Sequence, residues 1–112
     1  MARQLGEPRG QRVLDIGAGT GRNALALARW GCMVDAVEMT PKFAEILTTA
    51  AEQESLSVQV ICKDVFHVRD ELRGPYDLIL LSEVVSDFRT VAQLRGLFEL
   101  AAQQLAPGGA LL

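Results

Sequence analysis

The residues of this chain that could do chemistry gather at three points. In "VLDIGAGTGRN" an aspartate, Asp15, stands ahead of three glycines at alternate positions, Gly17, Gly19 and Gly21, and Asn23 follows them. Glycine permits unusual backbone angles and lets a ligand approach the main chain, while a helix that begins there aims its free amide groups at the loop. An acid in front of such a loop is badly placed beside a pyrophosphate. It suits a ligand carrying an ammonium or sulfonium group. Glu38, in "VDAVEMTP", could accept from two vicinal hydroxyls at once, which is what a ribose with both hydroxyls free requires. Asp64, in "VICKD", could accept from an exocyclic amine.

These residues need elements that bring them together, and the apolar periodicity supplies them. "RVLDI" reads as a strand running into the glycines. From Arg22 to Trp30 the residues Ala24, Leu25, Leu27 and Ala28 fit one face of a helix that Gly31 ends. Met33 to Glu38 is a second strand. Thr40 before Pro41 then reads as a hydroxyl cap with proline at the first helical position, and Phe43, Ile46, Leu47 and Ala50 as the core face of a second helix. "SVQVIC" nearly alternates, as at a sheet edge, whereas "YDLILLS" is continuously apolar and belongs at the centre. A last helix, capped by Thr90, turns Leu94, Leu97, Phe98, Ala101 and Leu105 inward, and "PGG" leads into a fifth strand, "ALL".

Strands alternating with helices through right-handed crossovers give an α/β fold, a parallel, doubly wound sheet. Asp15, Glu38 and Asp64 then stand at the carboxyl ends of three strands, where such sheets bind ligands. A ligand would lie along them as an amino-acid part, a ribose and a base.

Composition narrows the partners. The 112 residues suit one domain, and hydrophobic residues at 49% with charged residues at 22% are those of a globular protein. With 11 basic against 14 acidic residues and no basic block, a nucleic-acid surface is not indicated. No apolar run approaches a membrane span or a secretion signal, so the expected place is the cytoplasm. Cys32 and Cys62 lack CxxC spacing and are expected to be free, buried thiols. His67, the one histidine, has no partner at metal spacing and reads as a surface side chain of a short helix; no metal is expected. Trp30 reads as core or interface filler.

The dinucleotide fingerprint fails here, because its third glycine, counted from Gly17, falls on Arg22. What stands instead, "VLDIGAGTGRNALALARWG", "VDAVEMTP", "VICKDV", "YDLILLSEVV" and "LAPGG" in order, resembles the successive motifs of class I S-adenosylmethionine-dependent methyltransferases from Val13 to about Leu112. The motifs are specific for the cofactor, S-adenosyl-L-methionine, and not for the acceptor, and the resemblance implies a Rossmann-like, doubly wound, mainly parallel sheet of order 3-2-1-4-5 with helices on both faces. The resemblance implies Asp15, Gly17, Ala18, Gly19 and Gly21 around the methionyl part, Glu38 on the ribose hydroxyls and Met39 beside the adenine face. It also implies Asp64 at the adenine amine with the Val65 amide near the ring, and Ser82 with Glu83 on the methyl side. Asn23 could cap or brace the loop, and Met39 fits packing as well as adenine contact. Glu83 and Asp87 are poor candidates for a general base, since acids in such loops are mostly caps.

Methyl transfer is a displacement at a carbon already activated by sulfonium, so alignment can supply much of the rate without a dedicated catalytic side chain. "LSEVV" lacks the Asn/Asp-Pro-Pro-aromatic tetrad of exocyclic-amine methylases, and the chain lacks the Pro-Cys pair of cytosine C5 methylases. A small-molecule acceptor is therefore the default. Members of the family usually continue past the fifth strand with two more, so the chain is expected to be a core lacking them, a fragment or a chain completed by a partner or a second copy along the exposed edge of that strand. Two rivals stay open: a nicotinamide-dependent oxidoreductase and a non-catalytic cofactor-binding or interaction module.

Overall fold

The structure, a computed structural model, describes residues 10–64, 67–82 and 91–112. Val65, Glu83, Asp87, the cap Thr90 and the side chain of Leu94 lie outside what is described. The elements run β1 (Arg12–Ile16), α1 (Arg22–Arg29), β2 (Met33–Val37), α2 (Pro41–Gln53), β3 (Val58–Ile61), a 3-10 turn (Arg69–Glu71), β4 (Tyr76–Leu81), α3 (Val91–Gln104) and β5 (Leu105–Leu111). All strand pairs are parallel, as the alternation predicts, and the order is β3-β2-β1-β4-β5, as the family resemblance implies. The chain moves outward through β2 and β3, then returns to the other side of β1 for β4. With crossovers of one hand, that reversal sends the later helix to the opposite face. The strand order reverses between β1 and β4, and sheets of this kind bind ligands at such a reversal, outside the carboxyl ends of the strands.

Alternation along β1 divides the core. Val13 joins Ala24, Ala28, Cys32, Val34, Ala36 and Leu47 beneath α1 and α2, while Leu14 and Ile16 join Val37, Ile61, Val68, Ile79, Leu97 and Ala101 on the α3 side. Burying a side chain such as Leu14 or Leu97 completely is worth roughly 1.5–3 kcal/mol, so these rows hold the strand ends in register. Gly31, at φ 106°, ends α1 as expected, and its N–H donates to the Ala28 carbonyl.

Several expectations need correction. On α2 the buried residues are Ala44, Leu47 and Ala51, while Phe43 and Ile46 are exposed. The inward stripe keeps Leu47 but is rotated from the expected one, running Ala44, Leu47 and Ala51 at i, i+3 and i+7. Thr40 does precede α2, but its hydroxyl makes no capping bond. On α3, Leu97, Leu100 and Ala101 are buried while Phe98 is exposed, and Leu105 already belongs to β5. "LAPGG" is thus part of the strand, an irregularity in its pairing with β4 where Pro107 has no N–H to give. A Cβ on Gly109 would stand 3.0 Å from the carbonyl oxygens of Tyr76, Asp77 and Ala106, so glycine is what lets the two backbones approach. Cys62 is exposed, only Cys32 being buried, and Trp30 is 61% exposed and fills no part of the core. His67 is exposed, as predicted.

At the amino ends of the strands, on the α3 side, lies a polar cluster the sequence reading did not foresee. The Tyr76 hydroxyl donates to Asp35 Oδ2 at 2.5 Å and accepts from the Arg73 N–H at 2.9 Å. The Arg12 guanidinium sits 5.5 Å from the Tyr76 ring centre and 3.8 Å from Asp35, and donates to the Arg73 carbonyl. Both backbone groups of Arg73 are therefore gripped by side chains from β1 and β4. Burial first, and then the bond to Asp35, push the Tyr76 phenol well above its ordinary range.

Candidate cofactor site

The loop after β1 takes left-handed backbone at each alternate glycine, with φ 77° at Gly17, 62° at Gly19 and 101° at Gly21. L-residues with a side chain avoid this region, which is why the sequence is bare there. The Gly17 and Ala18 amides both donate to the Val37 carbonyl, at 2.9 and 3.1 Å, so the loop is tied to the end of β2. Gly21 has a further reason to lack a side chain. A Cβ there would lie 2.2 Å from Leu47 Cδ1 and 3.1 Å from Leu25 Cγ. The place a side chain would take is filled by the protein's own α1 and α2, and Gly21 is buried.

Glu38 follows β2 directly, and its N–H donates to the Ile61 carbonyl at 3.0 Å, which keeps the carboxyl ends of β2 and β3 side by side. Its side chain turns toward the glycine loop and is 8% exposed. Oε1 accepts from the Gly19 N–H at 2.7 Å and Oε2 accepts from the Thr40 N–H at 2.9 Å. Each oxygen of a carboxylate can accept about two hydrogen bonds. Two backbone donors fix its orientation and leave capacity for two more. Met39, next to it, is 56% exposed at the lip of the strand ends, and Cys62 Sγ lies 3.9 Å from the Met39 carbonyl. Asp64 stands two residues beyond Cys62, half-buried, with its carbonyl accepting from the His67 N–H at 2.9 Å.

Asp15 is fully buried inside β1. Ser82, just past β4 and anchored by its N–H to the Ile16 carbonyl at 2.9 Å, donates its hydroxyl to Asp15 Oδ1 at 2.5 Å. Asn23, in the first turn of α1, donates from Nδ2 to Ser82 Oγ at 3.3 Å. A carboxylate, a hydroxyl and an amide from three elements thus form one chain leading from the sheet interior to an exposed asparagine.

The structure places Gly17, Ala18, Gly19, Gly21, Asn23, Glu38, Met39, Asp64 and Ser82 just beyond the carboxyl ends of β1, β2, β3 and β4, whereas Asp15, expected to meet the ligand, is enclosed within β1 with no exposed surface; Val65 and Glu83 fall outside the described residues. Two partners went unforeseen. The Thr40 amide, not its hydroxyl, is the group that counts, because it holds Glu38. Leu47 is the residue that needs Gly21 bare, a pairing between distant positions that no local pattern marks. No group of three or more His, Cys, Asp or Glu residues among the described ones could hold a metal ion.

A parallel 3-2-1-4-5 sheet with a glycine loop after β1 and an acid closing β2 puts the chain in the doubly wound α/β class, whose ligands bind outside the carboxyl ends of the strands. Within it, the sequence profile of the Methyltransferase domain family matches residues 13–109, and the chain belongs to that family. The ubiquinone biosynthesis O-methyltransferase of Caulobacter sp. (strain K31) is 33% identical over 103 residues, covering 92% of this chain and 40% of the relative. That of Xanthomonas axonopodis pv. citri is 28% identical over 105 residues, covering 94% and 43%. The chain spans less than half the length of these relatives. A methyltransferase structure from Thiobacillus denitrificans in complex with S-adenosyl-L-homocysteine superposes with a TM-score of 0.70 at 26% identity, covering 92% of this chain and 41% of that one. TehB from Haemophilus influenzae, at 23% identity with 91% and 35% covered, shares the fold with a TM-score of 0.78.

Proposed function

We propose that this chain is the S-adenosylmethionine-binding core of a methyltransferase that acts on a small-molecule acceptor. The observation that carries the reading is Glu38, buried, aimed at the glycine loop and held by two backbone amides with acceptor capacity to spare. The donor set fits the cofactor in kind. A two-oxygen acceptor suits vicinal ribose hydroxyls, a bare loop suits close approach, and the half-buried Asp64 beyond β3 suits an exocyclic amine. Met39 would lie against the base, with Val65 beside it, and Gly17, Ala18 and Gly19 against the methionyl tail. Ser82 and Glu83 would border the methyl side. Gly21 supports the loop from behind by admitting Leu47.

Bound there, S-adenosylmethionine supplies a methyl carbon activated by its sulfonium sulfur. What this chain's residues contribute is placement: Glu38 fixes the sugar, and the loop sets the depth of the tail. In-line alignment then carries much of the rate. The names of the curated relatives support a hydroxyl oxygen on a small molecule as the acceptor. Among the described residues no helix is long and apolar enough to cross a membrane, which agrees with a cytoplasmic place. The edge of β5 beyond its pairing with β4 is where further strands, a completing chain or a second copy would add.

Equilibrium dialysis with radiolabelled S-adenosylmethionine and with NAD tests the reading. Retention of the first and not the second is expected, and Arg22 in place of a third fingerprint glycine already weighs against the dinucleotide. Retention of NAD, or of neither, contradicts it. Binding without transfer to any hydroxyl-bearing acceptor would favour the non-catalytic module.

A further inference from the structure

We propose that Asn23 receives the ammonium group of the ligand's amino-acid tail through its side-chain carbonyl, and that Ser82 and Asp15 are positioning residues that hold the amide the right way round. The inference rests on the cofactor reading above and goes further, assigning one end of the ligand to one atom. An asparagine amide has a donating and an accepting edge of nearly equal shape, and only its partners decide which faces where. Here the decision is forced from the interior. Asp15 has no exposed surface, and its Oδ1 takes the Ser82 hydroxyl hydrogen. A carboxylate only accepts, so the serine hydrogen is committed inward, and Ser82 Oγ is left able only to accept. Asn23 can therefore meet it only with the NH2 edge, and Nδ2 lies 3.3 Å away. The edge not turned toward Ser82 is the carbonyl oxygen, a neutral acceptor on an exposed residue in the first turn of α1.

This arrangement answers a difficulty in the simpler idea that Asp15 meets the tail directly. A carboxylate fully enclosed in β1 cannot touch an ammonium outside it without the strand end opening. Its charge is relayed instead as hydrogen-bond polarity, since each bond in such a chain polarises the next. The acceptor strength of the outermost oxygen depends on the buried acid two links behind.

The test compares two ligands that share adenosine and thioether but differ in the tail: S-adenosylhomocysteine, which carries the amino acid, and 5′-methylthioadenosine, which does not. Calorimetry on Asn23→Ala and Ser82→Ala should show S-adenosylhomocysteine weakened about tenfold or more, on the scale of one hydrogen bond to a charged group, with methylthioadenosine changed less than about twofold. Ser82→Thr, which keeps the hydroxyl, should restore binding. A general disturbance of the loop would weaken both ligands alike, and that result overturns the proposal, as does no change for either. Wild-type chain that binds neither ligand removes the cofactor reading itself, whereas wild-type binding with tail-blind variants removes only this inference.

Discussion

Glu38 Oε1 lies 2.7 Å from the amide nitrogen of Gly19, nineteen residues earlier in the chain. With Oε2 on the Thr40 amide at 2.9 Å, one carboxylate ties the β1 loop to the start of α2. The acid is a structural part of the loop as well as a candidate ligand for the sugar.

Glu38→Gln should therefore lower stability even without cofactor. Glutamine offers one oxygen, so one of the two backbone amides would face an NH2 group. Leaving a part-buried donor unsatisfied costs about 1–3 kcal/mol. Urea unfolding of the free protein should show a lower midpoint at unchanged slope. An unchanged midpoint would mean the two amides are satisfied some other way.

Gly21→Ala should destabilise for two separable reasons, left-handed backbone at φ 101° and collision of the new Cβ with Leu47. Together they amount to about 2–4 kcal/mol. In a Leu47→Ala background the severe collision disappears, and roughly 1 kcal/mol of backbone strain remains together with the milder contact to Leu25. Equal costs in both backgrounds would contradict the packing account of this glycine.

Tyr76 is the chain's one tyrosine, so absorbance of tyrosinate reads it alone. Its phenol is raised in the folded protein by burial and by Asp35, so the folded state holds the proton more tightly than the unfolded one. The corresponding stability is fully present below the unfolded value of about 10 and is lost as pH rises beyond it. Tyrosinate should appear in step with unfolding in an alkaline titration, and Tyr76→Phe should flatten this part of the stability profile. Ionisation at about pH 10 in a protein that stays folded would contradict the buried Tyr76–Asp35 bond.

The alternation of strands and helices was legible because each strand is a short apolar run and each connection carries its own punctuation, Gly31 after α1 and Pro41 before α2. The order of the sheet came with the family resemblance of the motifs, since alternation and crossover handedness allow more than one order. The direction of Glu38 followed too, because neighbouring parallel strands must end together. What stayed hidden depends on pairs far apart in sequence. Phe43, Ile46, Leu47 and Ala50 make as good a helical stripe as Ala44, Leu47 and Ala51, and because both contain Leu47 only the tertiary packing around α2 decides between them. Likewise Asp35 in a central strand gives no local hint of Tyr76, and the enclosed Asp15 looks in sequence like an acid facing the ligand.

The most direct test is calorimetry with S-adenosylhomocysteine on the wild-type chain and on Glu38→Ala. The wild type should bind, and the variant should bind at least about tenfold more weakly, 1.4 kcal/mol or more for loss of a charged acceptor from two hydroxyls. Equal affinities in two folded proteins would show that the acid closing β2 does not hold the sugar, and the proposed site would be wrong.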